Sequence, residues 1–303
     1  MIDMLATRLA RLGWTPAQLL DRDAPGGLAA PGLTSANRQC RLLRCADGWA
    51  ALNLARPDDL DLIPALTGGA GDDWAAVAHW ASQHDTDAVR RAGLELQLPL
   101  AVVGEAAPQP LVPANGTTVP RKVVDLSALW AGPLCAGLLA RAGARVVRIV
   151  SLGRPDPTPQ SSPRLDARIN AGKELCELDL RTAAGRAALL AELADADVLV
   201  TSARPAALAR LGLEPARLPH LTWAAITAHG FTGPGALRVG FGDDCAAAGG
   251  LVDWQGDEPR FRGDALADPL TGLEGALAVL AGRTGLIDLA MARVAAAYAR
   301  GTG

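Results

Sequence analysis

The fold of this chain is decided by the stretch Val123-Val124-Asp125-Leu126-Ser127-Ala128-Leu129-Trp130-Ala131-Gly132-Pro133. Its apolar, β-branched start predicts a strand, and its glycine and proline predict a tight turn that opens a helix. No G-x-G-x-x-G motif follows the strand. Gly132 and Gly137 have the spacing of a P-loop, but Leu138-Leu139 stand where Lys-Ser/Thr would be required. The stretch therefore argues against both a dinucleotide-binding loop and a Walker loop.

Strand and helix patterns alternate on both sides of this stretch. Strands are predicted at 122–126, 145–150, 198–200 and 223–227, and helices at about 132–142, 183–193 and 205–211. Such alternation predicts a parallel sheet with crossover helices, the α/β class. Ligands of such sheets bind at the carboxyl ends of the strands, and the Ala131-Gly132-Pro133 turn follows one of these ends.

The first part of the chain has a different pattern. Thr15-Pro16 predicts the start of a short helix, a strand is expected at 49–54 after Asp47-Gly48, and helices are expected at 73–80 and 87–96. A strand at 98–103 completes a small α+β unit. Because a polar, proline-bearing linker spans 106–118, we expect a small α+β domain at 1–118 and the α/β domain at 119–303.

Composition excludes several classes of function. The net charge of −3 over 303 residues, without a basic block, argues against a nucleic-acid partner. No basic segment precedes a long apolar run at the N-terminus, and no apolar run has the length of about 18 residues that a membrane span needs. We therefore expect a cytoplasmic protein without a membrane partner. The five cysteines include no C-x-x-C or paired histidine motif, so neither zinc nor a disulfide framework is predicted.

Several segments, in chain order, resemble CoA-transferase family III, the superfamily of formyl-CoA transferase, carnitine CoA-transferase and α-methylacyl-CoA racemase. The first is the opening stretch, which is similar to the family's strand followed by D-L-S/T-x-x-x-A-G-P. The others are Asn170-Ala171-Gly172-Lys173, residues 178–186, residues 194–200 with Arg204-Pro205, residues 210–213, residues 230–234 and residues 266–272. The last of these segments is similar to A-D-x-x-[ST]-G, which holds the family's catalytic aspartate.

The resemblance implies a Rossmann-like sheet, an acyl-CoA substrate and a carboxylic acid substrate. It makes Asp268 the catalytic residue, whose carboxylate attacks the thioester to give an aspartyl-acyl anhydride and free CoA thiolate. Fixed cations are needed for the phosphates of CoA, and arginines near strand ends and first turns suit them. The residues expected to bind CoA are Trp130, Ala131, Arg148, Arg181, Ser202, Arg204 and Arg210. Ser202 and Ala203 depart from the Asn-Phe pair of the family.

Each of these residues also has a structural interpretation. The arginines are equally compatible with exposed helix faces, and Asp268 is equally compatible with an N-cap. Gly249-Gly250 is a candidate source of N–H donors for the thioester oxygen, by analogy with the family. Asp243-Asp244 have no histidine or cysteine at metal-ligand spacing in the sequence, so we interpret them as acids in the first turn of a helix, with no metal.

Three functions remain open. The first is transfer of CoA between an acyl-CoA and a carboxylic acid. The second is a degenerate CoA-binding subunit that needs a partner. The third is an acyl-CoA racemase or isomerase, which the sequence disfavours because Phe241 stands where the racemases have a histidine; His229 is the other candidate base. The small domain comes first here, whereas it comes later in the family, so we expect an abbreviated or rearranged member. A homodimer and a hetero-assembly are both compatible with it.

Overall fold

The computed structural model describes residues 1–69 and 71–300, which form two sheets, a hairpin and the helices around them. The strands are β1 Cys40–Arg44, β2 Trp49–Asn53, β3 Leu100–Val102, β4 Lys122–Leu126, β5 Arg145–Ser151, β6 Glu174–Leu178, β7 Val198–Thr201, β8 Thr222–Thr227, β9 Val252–Gln255, β10 Glu258–Phe261 and β11 Leu286–Ala290. The helices are α1 Ile2–Leu9, α2 Pro16–Leu20, α3 Pro57–Leu60, α4 Ile63–Thr67, α5 Trp74–Ser82, α6 Thr86–Glu95, α7 Ala131–Arg141, α8 Thr158–Ser161, α9 Pro163–Ile169, α10 Ala183–Ala194, α11 Pro205–Arg210, α12 Gly242–Ala248, α13 Ala267–Leu280 and α14 Met291–Arg300.

The large sheet has six strands in the order β11-β8-β7-β4-β5-β6, and every neighbouring pair is parallel. β4 lies in the interior of this sheet, and its carboxyl end, Leu126, pairs with Thr201 of β7. The apolar runs of β4 and β7 are buried because helices cover both faces. The predicted α/β class, with a parallel sheet and crossover helices, is confirmed.

Two apolar cores flank the large sheet. On one face α7 and α13 pack together, with Leu134, Leu138 and Leu273 fully buried. On the other face Leu189 and Leu193 of α10 pack against Trp223. Helices that are apolar on all sides, such as these two, are typically buried in a core. The packing of α7 against α13 brings the N-terminal ends of the two helices together.

The small unit is an antiparallel sheet in the order β1-β2-β3, with its own apolar core against α5 and α6. Asp73 and Asp85 cap these two helices through their side chains. The packing differs from the expected division at residue 118, because α1 and α2 contribute Leu5, Leu9 and Leu19 to the core around α7 and α13. Those two helices therefore belong, by packing, with the large sheet.

Thr15 caps α2 as expected: its hydroxyl accepts from the Gln18 N–H, and Pro16 is the first helical residue. Within residues 1–69 and 71–300, every helix is too short or too polar to cross a lipid bilayer.

Candidate active site

Asp268 lies in the first turn of α13, one residue after the helix begins. The N-cap of this helix is Leu266, so the alternative interpretation of Asp268 as an N-cap is wrong. Gly272, one turn later, packs against the start of α7. A Cβ atom at residue 272 would lie 2.6 Å from the Ala131 carbonyl oxygen. The glycine therefore allows the two helices to approach closely, which places the partly buried Asp268 carboxylate beside the Ala131-Gly132-Pro133 turn.

Three groups surround the Asp268 carboxylate. The backbone N–H groups of Ala131 and Gly242 donate to it, and the guanidinium of Arg22 lies near it. Gly242 is so close that any side chain there would overlap Oδ2 of Asp268. Burial raises the pKa of Asp268 to about 7, against the opposing effects of Arg22 and of the two N–H groups. Near neutral pH this carboxyl is therefore partly protonated and partly ionised.

Arg22 is a site residue that the sequence did not reveal. It follows α2, and its Nε donates to Asp264 Oδ2 at 2.7 Å, while its guanidinium lies 5.5 Å from the ring centroid of Trp130. Only 18% of its side chain is exposed. Arg22 therefore joins the N-terminal helices to the turn that precedes α13, and it brings a fixed positive charge to the acidic site.

Asp243 and Asp244 lie in the first turn of α12, as expected, but they are fully buried. Asp243 accepts from the Ala265 N–H at 2.8 Å and from Asn37 Nδ2 at 3.1 Å. Burial raises the pKa of Asp243 to about 7 and that of Asp244 to about 8. The site therefore holds more carboxyl groups than one arginine can neutralise.

The turn before α7 is held in an unusual conformation. Leu129 has φ of +67°, in the left-handed region that a branched side chain rarely adopts. Its N–H donates to Asp156 at 3.3 Å, and Asp156 accepts from Arg148 at 2.9 Å. Arg148 also donates to Asp166 and is 8% exposed, so a phosphate would have to compete with two carboxylates for its guanidinium. In this arrangement Arg148 supports the turn through Asp156.

A buried ion pair fixes the other side of the same turn. Lys173 Nζ donates to Asp125 Oδ2 at 2.7 Å, to the Pro133 carbonyl at 2.7 Å and to Asn170 Oδ1 at 2.8 Å. Burial lowers the pKa of Lys173, whereas Asp125 opposes that shift. The segments Val123–Pro133 and Asn170–Lys173, which both resemble family motifs, are therefore in contact here. The Lys173 side chain links β4 to the first turn of α7.

Trp130 is buried between this turn and Arg22, with 3% of its surface exposed. Its indole Nε1–H is buried and has no hydrogen-bond partner in the described part of the chain. Buried indole N–H groups nearly always find an acceptor, so this donor is suited to an oxygen atom of a bound molecule.

The other residues expected to bind CoA divide into two groups. Ser202 lies at the same turn, where its Oγ accepts from the Ala128 N–H at 3.0 Å. Arg181, Arg204 and Arg210 are exposed. Arg181 donates to Asp179, and Arg204 donates to Gln97 of the small unit at 2.6 Å. The structure therefore brings Trp130, Ala131 and Ser202 together at the turn before α7, and it leaves these three arginines at the surface.

Gly249-Gly250 does not supply free N–H donors. The Gly249 N–H donates to the Cys245 carbonyl and the Gly250 N–H to the Ala247 carbonyl, because both residues end α12. Gly249 is packed against α14, and it is Gly242, at the opposite end of α12, that contacts Asp268. The analogy that assigned the oxyanion donors to Gly249 and Gly250 is therefore wrong.

Comparison with known proteins identifies relatives of the large sheet. The family model of CoA-transferase family III matches residues 121–298. An acyl-CoA transferase of Fusarium pseudograminearum is 32% identical over 190 residues, which is 55% of this chain and 42% of that protein. The succinyl-CoA–D-citramalate CoA-transferase of Chloroflexus aurantiacus is 32% identical over 177 residues, which is 52% of this chain and 44% of the relative.

Solved structures agree with this relationship. A CaiB/BaiF family protein from Brucella suis is 30% identical, with a TM-score of 0.51 over 58% of this chain and 53% of that one. A hypothetical protein from Mycobacterium tuberculosis is 29% identical, with a TM-score of 0.55 over 64% of this chain and 59% of the other.

The chain spans less than half the length of the two curated relatives described above. The match over residues 121–298 nevertheless contains β4, the turn before α7, α12 and Asp268, which together build the site. The chain belongs to CoA-transferase family III.

Proposed function

We propose that this protein transfers CoA between an acyl-CoA and a carboxylic acid, with Asp268 as the nucleophile. The observation that carries the proposal is the Asp268 carboxylate itself, which is partly buried, has a pKa of about 7 and faces the backbone N–H groups of Ala131 and Gly242. A carboxylate removed from water is a stronger nucleophile than a solvated one, and a pKa near neutrality keeps a useful fraction ionised.

The proposed reaction begins when an ionised Asp268 oxygen attacks the thioester carbonyl carbon. The C–S bond breaks, so the products are an aspartyl-acyl anhydride and CoA thiolate. The incoming carboxylate then attacks the aspartyl carbonyl carbon of the anhydride, so the first acyl group leaves as a free carboxylate and a new aspartyl-acyl anhydride forms. The thiolate next attacks the new acyl carbon. That last attack releases the new acyl-CoA and regenerates the Asp268 carboxylate, so no proton is consumed overall.

Residues around the turn have separate roles in this proposal. The unpartnered Trp130 Nε1–H donates to the thioester oxygen as negative charge develops there, in place of the glycines that were expected to do so. Arg22 keeps part of Asp268 ionised and provides the positive charge that an incoming carboxylate needs. The exposed Arg181, Arg204 and Arg210 bind the phosphates of CoA, and Arg148 supports the turn.

The test is an exchange assay on the purified chain. A panel of short acyl-CoAs is incubated with isotopically labelled carboxylic acids, and mass spectrometry follows labelled acyl-CoA. Turnover that is lost in Asp268→Asn, with folding preserved by circular dichroism, supports the proposal. Undiminished transfer by Asp268→Asn contradicts it.

The same assay separates the two alternative functions. One relative of this chain, 30% identical over 192 residues, is named as the alpha subunit of a succinyl-CoA–L-malate CoA-transferase. If this chain is likewise a subunit, CoA raises its melting temperature while the chain alone gives no turnover. A racemase instead exchanges the α-hydrogen of a 2-methylacyl-CoA with deuterium from the solvent, without any labelled acid entering the thioester.

A further inference from the structure

Three side chains with different donor atoms lie close together at α12 and have no role in the proposed reaction. They are His229, in the loop after β8, and Asp244 and Cys245, which are consecutive in α12. One ligand atom from each residue lies within 4.8 Å of the other two. The sequence did not reveal this group, because His229 is separated from the Asp-Cys pair by the 3₁₀ turn Gly233–Leu237 and its flanking loops.

Asp244 is already oriented for a further partner. Its Oδ1 accepts from the Phe241 N–H at 2.9 Å and from Asn53 Nδ2 at 3.2 Å, whereas Oδ2 lies 3.9 Å from the Cys245 sulfur. Carboxylates that bind metals commonly have one oxygen held in this way by hydrogen-bond donors outside the metal site. The remaining oxygen faces the thiol.

The other two donors lack strong partners. Nε2 of His229 is buried and has no hydrogen-bond partner within the described residues. A neutral imidazole retains a lone pair on one of its ring nitrogens. The Cys245 thiol has only long contacts, such as 3.7 Å to the Ala228 carbonyl. A bound cation would give this buried imidazole the partner that it lacks, and the neighbouring carboxyl and thiol could bind the same cation.

The backbone of Gly240 packs closely against two of these donors. A Cβ atom at this position would lie 2.7 Å from Asp244 Oδ2 and 2.8 Å from the Cys245 sulfur, which is closer than real Cβ atoms come. His229 also lines a cavity of about 290 Å³, together with Gly235 and Arg238. The cavity therefore gives access to His229, whereas Asp244 and Cys245 are fully buried.

We propose that His229, Asp244 and Cys245 bind a zinc-like divalent metal ion. Mixed nitrogen, oxygen and sulfur ligands suit Zn²⁺ and related transition metals, whereas Mg²⁺ and Ca²⁺ prefer oxygen alone. Zinc-to-ligand distances of about 2.0–2.3 Å require the three side chains to move together slightly from their present separation. A water molecule from the cavity completes four ligands.

The ion would serve to position the active site, because it joins the loop after β8 to α12. The first residue of α12 is Gly242, whose backbone faces Asp268. Metal binding is an inference separate from acyl transfer, and it is measured without any acyl-CoA.

The test uses Co²⁺ as a spectroscopic probe. The full chain is stripped with a chelator, desalted and titrated with Co²⁺ while absorbance is followed. We expect a thiolate-to-cobalt charge-transfer band that saturates at about one ion per chain and disappears when Zn²⁺ is added. Elemental analysis of protein grown with added zinc gives the same stoichiometry.

Variants assign the band to these residues. Cys245→Ser abolishes it, His229→Gln weakens Co²⁺ binding at least tenfold, and Asn53→Ala, which removes the donor to Asp244, weakens it by about 10–100-fold. Cys176→Ser and His79→Gln, at a partly buried and an exposed position, are the matched controls and leave the titration unchanged. The proposal is overturned if the folded wild-type chain gives no thiolate band, or if the band persists in Cys245→Ser.

Discussion

Gly242 and Asp268 are in direct contact, and the absence of a side chain at Gly242 is what allows the Asp268 carboxylate to lie between α12 and α7. A Cβ atom at residue 242 would overlap Asp268 Oδ2 and would lie 2.5 Å from the Ala265 carbonyl oxygen. This relationship makes the backbone of α12 part of the site, although residue 242 has no side chain.

Gly242→Ala is accordingly expected to displace Asp268. We expect a loss of stability of about 1–3 kcal/mol from overpacking and a fall in transferase activity of about 100-fold, because small displacements of a nucleophile are costly. Urea unfolding and the exchange assay measure the two effects. Gly32→Ala is the control, since its Cβ would meet only the end of the Arg260 side chain at 3.4 Å. Wild-type activity in Gly242→Ala would contradict the assigned site.

The pH dependence of transfer is set by Asp268 and Arg22. Since burial raises the pKa of Asp268 to about 7 and the nucleophile must be ionised, kcat/KM rises with pH and levels off above about pH 7. Arg22 lowers this pKa, so Arg22→Gln moves the midpoint to higher pH, whereas Arg22→Lys stays nearer the wild-type profile.

Profiles of kcat/KM against pH for the three proteins provide the measurement. Arg91→Gln, at an exposed position of α6, is the control and leaves the midpoint unchanged. A midpoint that stays in place in Arg22→Gln would show that Arg22 does not act on Asp268.

Removal of the unpartnered indole donor tests the role given to Trp130. Trp130→Phe keeps most of the buried ring surface and loses Nε1–H, so we expect kcat to fall by about 10²-fold while KM changes little. Trp254→Phe, at an exposed position of β9, is the control. A lower affinity for acyl-CoA with unchanged kcat would instead assign Trp130 to ground-state binding.

The buried acids make stability depend on pH. Asp243, Asp244 and Asp268 have pKa values of about 7, 8 and 7 in the folded chain, well above the ordinary value of 3.8. Between about pH 4 and about pH 8 the folded state therefore keeps protons that the unfolded state has released, so the free energy of unfolding falls as pH rises.

Asp244→Asn removes one of these protons, because an amide does not titrate in this pH range. The amide oxygen can still accept from the Phe241 and Asn53 donors. Each such group contributes a slope of up to about 1.4 kcal/mol per pH unit, so the variant has a flatter profile than wild type. Urea unfolding across this pH range, with a chelator present, gives both slopes. Equal slopes would mean that Asp244 is ionised in the folded chain.

The sequence predicted the parts of this structure that depend on local pattern. The alternation around Val123–Pro133 predicted the parallel sheet, and the capping residues Thr15-Pro16 predicted α2. β6 was missed because its residues, Glu174–Leu178, lie at the sheet edge and are mostly exposed, so they lack the apolar pattern of an interior strand.

The candidate site was predicted only where a motif pointed to it. Asp268 and the turn at Trp130-Ala131 came from the family resemblance, whereas Arg22 reaches the site through the packing of α2, which no local pattern encodes. The sequence also could not show that Asp156 and Asp166 form ion pairs with Arg148. Nor could it show that the N–H groups of Gly249 and Gly250 donate to carbonyl groups of α12. These are properties of tertiary contacts.

Trapping the acyl group on Asp268 tests the nucleophilic role of this residue most directly. The chain is incubated with short acyl-CoAs and quenched with hydroxylamine, and peptide mass spectrometry then searches for a hydroxamate. We expect a hydroxamate at Asp268 that depends on acyl-CoA and is absent in Asp268→Asn. Labelled acid entering acyl-CoA while Asp268 remains unmodified would contradict this role.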